Sequence, residues 1–451
     1  MSEVQRTANE SCGAEGAASY DVNARPLNDG DANLPRGWRR TDLASLGDYI
    51  NGFAFNQAHW EASGLPIVRI AQITGSQGIV DRFQGRLPDI YRLSDGDLIF
   101  SWSGTLAVVS WQGGPAWLNQ HLFKVVPRGG IDRGFLYHVL QASVAEMDKR
   151  THGSTMKHIK RGELREFGLV VPSQSSEQAT IARVLDTLDT TIRQTEAIIT
   201  KLKQVKQGLL HDLLTRGIDA NGELRAPQAQ APHLYKQSPL GWIPREWDTL
   251  GLASLAFTAR SVLKTGPFGS SLKSEHLTET GRPVVTIGSL GVGRFIEESL
   301  LYVSEATAQA LVEFELVPGD IAFSRVADVG RSVVVEEPQR GWIMSSNFMR
   351  ISADPNRVVP QFLQAVLAFD GRVKRQMRST VNSAGRDVAS SSILMSLRFA
   401  VPTWQEQTEI ILRVRGINDR TSNEEVLRDK LLAARSGLMD DLLTGRVRVT
   451  P

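Results

Sequence analysis

The stretch Gly208-Leu209-Leu210-His211-Asp212-Leu213-Leu214-Thr215 returns as Gly437-Leu438-Met439-Asp440-Asp441-Leu442-Leu443-Thr444, 229 positions later. Reading back from each copy, Val170-Val171-Pro172 is matched by Ala400-Val401-Pro402, 230 positions on. His121-Leu122-Phe123-Lys124 is matched by Asn347-Phe348-Met349-Arg350 at a displacement of 226, and Gly96-Asp97-Leu98-Ile99-Phe100-Ser101 by Gly319-Asp320-Ile321-Ala322-Phe323-Ser324 at 223. Leu34-Pro35-Arg36-Gly37-Trp38 opens the series and Ile243-Pro244-Arg245-Glu246-Trp247 reopens it, displaced by 209. A Gly-Asp before an apolar run is an ordinary turn-to-strand signal, so one match carries little. Five in the same order, with a slow drift that loop insertions supply, mean a tandem duplication.

The length agrees, since 451 residues is about three times the ~150-residue mode for one domain. With 41% hydrophobic and 22% charged residues the chain has the composition of a globular protein that buries large cores. The single cysteine, Cys12, excludes a disulfide framework, a Cys-based zinc module and a thiol pair, and it suits a reducing compartment. No apolar run approaches the ~18–20 residues of a membrane span, and Glu3, Arg6 and Glu10 do not make a signal peptide, so the expected location is cytoplasmic. The net charge of +2 is unevenly placed. Residues 1–33 hold Glu3, Glu10, Glu15, Asp21, Asp29 and Asp31 against Arg6 and Arg25, so the body that follows is basic. With few large apolar side chains, residues 1–33 read as a disordered acidic tail.

Each half divides again. Residues 34–172 and 243–402 alternate short β-rich runs with turn residues, such as Asp97-Leu98-Ile99-Phe100 and Arg331-Ser332-Val333-Val334-Val335. Each holds one helix near its end, marked by Phe135, Leu136, Val139, Leu140 and Val144, or by Phe362, Leu363, Val366 and Leu367. These are expected to be mixed α/β (α+β) domains with mixed sheets. A long helix follows each one. The first, within 173–218, runs from Ser175 to Thr215 with Ile181, Leu185, Leu188, Ile192, Thr195, Ile199, Leu202, Leu209 and Leu213 on one seven-residue stripe, interrupted at Lys206. The second, within 403–446, shows Ile410, Val414, Ile417, Leu427, Leu431, Ala434, Leu438 and Leu442, with a polar middle from Thr421 to Glu425. Residues 219–242 read as a linker. Ser175 with Gln178, and Thr403 with Glu406, are candidate capping boxes. Gly208 and Gly437 mark points of close backbone approach. The stripes need partners, and the pairing expected is of the two helices with each other as an antiparallel coiled coil, which places the domains at opposite ends of a shared rod.

Catalytic chemistry is not visible. No glycine-rich phosphate loop is present, and the eight histidines show no zinc spacing. A methyltransferase acting on DNA amines needs an Asn/Asp-Pro-Pro-aromatic motif, and the chain has no Pro-Pro pair. Pro88-Asp89 lacks the acid-x-Lys partner of a metal-nuclease motif. The expectation is no catalytic residue, no metal and no cofactor.

Two basic, polar loops stand at equivalent places instead, after each domain's helix and before its closing strand. One holds Lys149, Arg150, Ser154, Thr155, Lys157, Lys160 and Arg161; the other holds Arg375, Arg378, Asn382 and Arg386. Cationic side chains neutralise phosphates, and small polar ones bond phosphates or base edges, so duplex DNA is the ligand that the mixture suits. Asn119, Gln120 and Asn347 carry groups that read adenine bidentately or, equally, cap turns. Trp102 and Arg325 follow the repeated strand and are expected to face outward. In the second half, Lys264, Ser270, Ser271 and Lys273 surround the glycines of Gly266-Pro267-Phe268-Gly269, which permit close backbone approach to a ligand.

The doubled plan resembles the specificity subunit of a type I DNA restriction–modification enzyme over residues 34–446. The resemblance rests on Pro-x-x-Trp, the Gly-Asp strand, Val-Pro before Glu177-Gln178 and Glu406-Gln407, and a long helix ending Leu-Leu-Thr. The Gly266–Lys273 segment is similar to a recurrent element of that family. The resemblance implies two target-recognition domains, each reading part of a bipartite double-stranded DNA site, with the helices as spacer. It also implies that adenine methylation and ATP-dependent translocation and cleavage belong to separate modification and restriction subunits. The rival readings are a catalytic methyltransferase or nuclease with fused recognition domains, and a scaffold that binds proteins rather than DNA.

Overall fold

A computed structural model describes residues 34–76, 79–256, 260–267, 271–291, 293–326, 329–383 and 388–449, apart from 151–158. The acidic tail therefore lies outside the described residues. The chain forms two compact units, one of Met1–Thr195 with Leu427–Pro451 and the other of Glu196–Val426.

In the first unit, four antiparallel strands lie in the order Gly47–Asn51, Leu122–Pro127, Leu98–Ser101, Ala107–Ser110. A second sheet orders Arg82–Phe83, Leu65–Val68, Ala116–Leu118 and Arg92–Leu93, its middle pair parallel. Trp38–Asp42 pairs with the closing strand Gly168–Pro172. The second unit repeats the plan: Leu263–Thr265, Phe348–Ile351, Ile321–Ser324 and Ser332–Val334 form the antiparallel sheet. Arg282–Val285 runs parallel to Ile343–Met344, and Asp248–Gly251 pairs with Arg398–Val401.

The repeated Gly-Asp strand shows why the sequence folds this way. Gly96 and Gly319 hold φ of 87° and 90°, a conformation that side chains resist. The strand that follows alternates between two cores, as the two-residue period dictates. Leu98 and Phe100 join the cluster that contains Phe135 and Leu136, while Ile99 joins the one around Val68 and Leu118. In the second unit Ile321 and Phe323 face one cluster and Ala322 the other. All four residues of each strand are buried, so the sheet is covered on both sides.

Both long helices have 41 residues, Ser175–Thr215 and Trp404–Thr444, and at ~1.5 Å rise each is about 60 Å long. Each passes from one unit into the other. Within the first unit Ile181, Leu185 and Leu442 share a core; within the second, Leu210, Leu213, Ile410 and Val414 do. Arg435 pairs with Asp189 in the first unit, and Lys203 Nζ lies 2.8 Å from Glu425 in the second, so the segments run antiparallel in both. On the first helix Ile192 and Ile199 are buried, and Leu188, Leu202, Lys206 and Leu209 are half-buried.

The stripe on the second helix differs from its sequence reading. Covered positions step by four and three through Ile410, Val414, Ile417, Thr421, Glu424, Arg428, Leu431, Arg435, Leu438 and Leu442. The heptad is unbroken, and polar residues occupy its middle. Leu427 falls off it, 45% exposed, and Ala434 is exposed too. The caps also differ. Thr403 Oγ1 accepts from the Glu406 N–H at 3.3 Å, but the Glu406 carboxylate turns to Trp247 and Arg225. Gln178 bonds the Pro172 carbonyl and the Asp132 N–H, so Ser175 and Gln178 form no box. Gly208 and Gly437 have open space where a Cβ would sit, so neither is a close-approach point. Among the described residues no helix is long and apolar enough to cross a membrane.

Candidate nucleic-acid interface

The duplicated strand ends in a backbone frame that recurs in both units. Behind the strand Gly47–Asn51, the Gly52 N–H donates to the Leu122 carbonyl at 3.1 Å; behind Leu263–Thr265, the Gly266 N–H donates to the Phe348 carbonyl at 3.0 Å. Both glycines are required by their neighbours. A Cβ on Gly52 would stand 2.2 Å from the Asn119 carbonyl oxygen, and one on Gly266 would stand 2.0 Å from that of Ser345. The turn Asn119–His121 is thus the counterpart of Ser345–Asn347. A third segment docks the same way: the Ile159 N–H donates to the Trp102 carbonyl at 2.9 Å, and the Ala389 N–H to the Arg325 carbonyl at 2.8 Å. Three segments therefore meet at one end of each unit's sheet, beyond the strand termini.

The first basic segment ends at this frame. Lys160 and Arg161 follow Ile159 and are exposed, with the Lys160 backbone N–H held by Glu163 at 3.1 Å. Lys149 and Arg150 close the helix Arg133–Arg150, although their side chains are not described. Ser154, Thr155 and Lys157 lie outside the described residues.

The second basic segment is a helix, Gly371–Ser383, rather than a loop. Its apolar residues Val373 and Met377 are buried, at the i, i+4 spacing of one helix face. Lys374, Arg375 and Arg378 are exposed on other faces, and Arg372 is committed to Asp370 at 2.7 Å and to the Leu214 carbonyl. The sequence reading missed this helix because basic and small polar residues dominate it, leaving only Val373, Met377 and Val381 to mark its apolar period. Asn382 belongs to its last turn with its side chain not described, and Arg386 lies outside the described residues.

Other candidates take structural places. Asn119 is 3% exposed; its Nδ2 donates to Gln120 Oε1 at 2.9 Å and its Oδ1 accepts from the His121 N–H at 3.3 Å. It closes the turn. Trp102 is half-buried against the first core, 6.0 Å from the His121 ring and 5.7 Å from that of Phe123, so it does not face outward. Arg325 is half-buried as well, its N–H donating to the Asn347 carbonyl at 3.0 Å. Lys264 pairs with Glu313 at 2.6 Å and lies 5.0 Å from the Phe314 ring centroid. Lys273 is exposed beside Glu275, Ser271 is exposed, and Ser270 lies outside the described residues. Gln120 and Asn347 are half-buried at the turn.

The Pro-x-x-Trp and Glu-Gln motifs occupy a different place. Trp38 Nε1 donates to Glu177 Oε1, and Arg448 Nε and Nη2 reach the same carboxylate at 2.6 and 2.9 Å. Trp247 Nε1 donates to Glu406 Oε2, which Arg225 Nη2 also reaches at 3.1 Å. The arginines were missed because no repeated motif surrounds them. These clusters tie the first strand of each domain to the base of its long helix; they are architecture and not a ligand site. Among the described residues no group of acidic, histidine and cysteine side chains could hold a metal ion.

Residues 35–204 match the family described as the type I restriction modification DNA specificity domain. The chain is similar to the type I restriction enzyme EcoBI specificity subunit of Escherichia coli, 24% identical over 422 residues, covering 91% of this chain and 85% of that one. It is also similar to the MjaVIII specificity subunit of Methanocaldococcus jannaschii, 20% identical over 365 residues, covering 79% of this chain and 80% of the other. In fold it resembles the crystal structure of the type I restriction-modification S subunit from M. genitalium, with TM-score 0.57, 15% identity and coverage of 93% and 98%. The family match over the first half, relatives spanning both halves and the doubled fold agree with one another: the chain is similar over most of its length to the specificity subunits of type I restriction–modification systems.

Proposed function

We propose that the chain is the non-catalytic DNA-recognition component of a type I restriction–modification complex. Residues 34–172 and 243–402 are its two recognition domains, and each reads one block of a bipartite site in duplex DNA. The long helices are the spacer between them. Methylation and ATP-dependent translocation and cleavage come from separate modification and restriction subunits that dock on this chain, in the cytoplasm. The observation that carries this reading is the repeated frame behind Gly52 and Gly266: two equivalent sheet ends, the first followed by exposed Lys160 and Arg161, whose side chains differ. One sheet end copied twice with altered side chains is what reading two unlike sequence blocks requires.

Co-expression with the modification subunit, followed by mapping of methylated adenines, tests it. The expected motif has two fixed blocks separated by a gap of constant length. A single uninterrupted block would overturn the two-domain reading. Methyl transfer or cleavage by the purified lone chain would revive a fused catalytic enzyme, and absence of any sequence-selected duplex from a random pool would favour a protein-binding scaffold.

A further inference from the structure

Resting on that reading, we infer that the equivalent turns Asn119–His121 and Ser345–Asn347 carry the base-reading side chains, with His121 reading one block and Asn347 the other. The two positions coincide by the frame already described, and the repeat pairs them in the sequence as well.

Each turn divides its labour in the same way. A first residue is spent on the fold: Asn119 closes its turn through Gln120 and the His121 N–H, and Ser345 sets its carbonyl against Gly266. Of the residues that follow, Gln120 accepts from Asn119, while His121, Ser346 and Asn347 are uncommitted. Among the described residues no hydrogen bond engages the His121 ring nitrogens, the Ser346 hydroxyl or the Asn347 amide, and the buried Ser345 Oγ has no partner. Water satisfies the exposed His121 and Ser346, but a buried polar group without a partner is uncommon in folded proteins, and the buried Ser345 Oγ beside the half-buried Asn347 amide points to a ligand that satisfies them.

The surroundings fix the class of ligand. His121 is exposed and its ring is backed by Trp102 at 6.0 Å, which limits the directions it can take. Lys160 and Arg161 follow the segment bonded to the Trp102 carbonyl, so phosphate-binding groups stand beside a base-reading one. In the second unit Arg325 binds the Asn347 carbonyl through its backbone, and exposed Ser391 stands near, its Oγ 3.1 Å from Thr265 Oγ1. A carboxamide matches the N6 donor and N7 acceptor of adenine, whereas a histidine N–H donates to the N7 acceptor that both purines carry or to guanine O6. Asn347 therefore reads an adenine in the block recognised by residues 243–402, and His121 a purine in the block recognised by 34–172.

The test uses the chain assembled with its modification subunit and maps methylated motifs for His121→Ala, Asn347→Ala and the reciprocal pair His121→Asn with Asn347→His. Each alanine variant is expected to lose roughly ten- to hundredfold discrimination at one position of one block and to leave the other block's letters unchanged. The reciprocal pair is expected to change one letter in each block. Because His121 and Ser346 are exposed, Ser346→Ala joins the set as a variant with no fold to lose; altered preference within the second block supports the assignment. Relaxed letters in the same block for both alanine variants would overturn the equivalence. Weaker modification with every letter retained would overturn base reading by these turns. A wild-type complex with no bipartite motif would instead overturn the underlying function, so the two failures are distinguishable.

Discussion

Trp38 Nε1 stands 3.2 Å from Glu177 Oε1, and Trp247 Nε1 stands 3.1 Å from Glu406 Oε2, the same hydrogen bond made twice in one chain. The two bonds differ in what surrounds them. Glu406 and Arg225 are nearly buried, with side-chain exposures of 8% and 6%, while the Arg448 that serves Glu177 is 42% exposed. Removing Glu406 leaves the nearly buried Arg225 with the 70% exposed Glu246 as its counter-ion at 2.7 Å and strips Trp247 Nε1 of its partner, whereas the exposed Arg448 returns to water cheaply when Glu177 is removed. Glu406→Ala should therefore lower the urea midpoint well beyond Glu177→Ala. Equal losses in denaturant titrations would show that the exposed arginine contributes as much as the buried one.

The same pairs show what the sequence could reveal. Pro-x-x-Trp, Val-Pro, Glu-Gln and Leu-Leu-Thr were visible because they repeat, and they repeat because both domains anchor to their helices through one geometry. The heptads were visible for the same reason, except where Thr421, Glu424 and Arg428 occupy covered positions that hydrophobicity does not mark. The interface was less legible. Asn119 and Gln120 look alike as amides, yet one is buried in its turn and the other half-exposed. Arg375 and Arg378 looked like loop cations because their helix has a mostly polar surface. Which polar side chain a fold consumes is decided by partners distant in sequence.

Exposed cations of the two basic segments should act on the DNA backbone. Lys160→Ala with Arg161→Ala, and separately Arg375→Ala with Arg378→Ala, should weaken binding to all duplexes alike. The slope of log K against log salt should shrink by about 0.9 for each phosphate that the variant no longer neutralises. An unaltered slope in fluorescence titrations would mean that the pair only solvates the surface.

His138 gives the first unit an acid-sensitive point. Its side chain is fully buried, with Nε2 2.8 Å from Asp186 Oδ1. Burial lowers its pKa below 6.5, and the Asp186 hydrogen bond only partly offsets this. A lowered folded pKa means that the unfolded chain takes up the proton first as pH falls. The stability contributed by neutral His138 is thus present above pH 6.5 and lost as pH drops through the folded value. His138→Gln should flatten the fall in Tm between about pH 7 and pH 5. An identical slope in wild type and variant would assign the acid sensitivity elsewhere.

Lys206 occupies a covered heptad position of the first long helix, half-buried and 5.9 Å from the Phe369 ring centroid. Burial lowers its pKa, with Glu425 opposing. An ammonium at such a position costs stability that an apolar side chain recovers. Lys206→Met should raise the unfolding free energy by about 1 kcal/mol, since the thioether fills irregular space and the neighbouring Lys203–Glu425 pair is untouched. A lower denaturant midpoint would show that the cation–ring contact outweighs the desolvation.

Glycines supply the last contrast, because four of them divide cleanly by what surrounds them. Gly208 and Gly437 lie inside 41-residue helices, with nothing within 4 Å of the point a Cβ would occupy. A helix-interior glycine costs roughly 0.5–1 kcal/mol relative to alanine, since the unfolded chain has more backbone freedom to lose. Gly208→Ala and Gly437→Ala should each stabilise the protein by about that amount, and they should add, being far apart in sequence and without shared partners. Gly52 and Gly266 are the opposite case. Their Cβ atoms would collide with the carbonyls of Asn119 and Ser345, which are backbone atoms held by the sheet and unable to swing aside. Gly52→Ala and Gly266→Ala should therefore cost about 1–3 kcal/mol or more and disturb the recognition turns directly. Thermal melts of the four variants separate the classes. A destabilising Gly208→Ala would restore the close backbone approach that the sequence suggested, and a neutral Gly266→Ala would mean that the Ser345 turn is free to move.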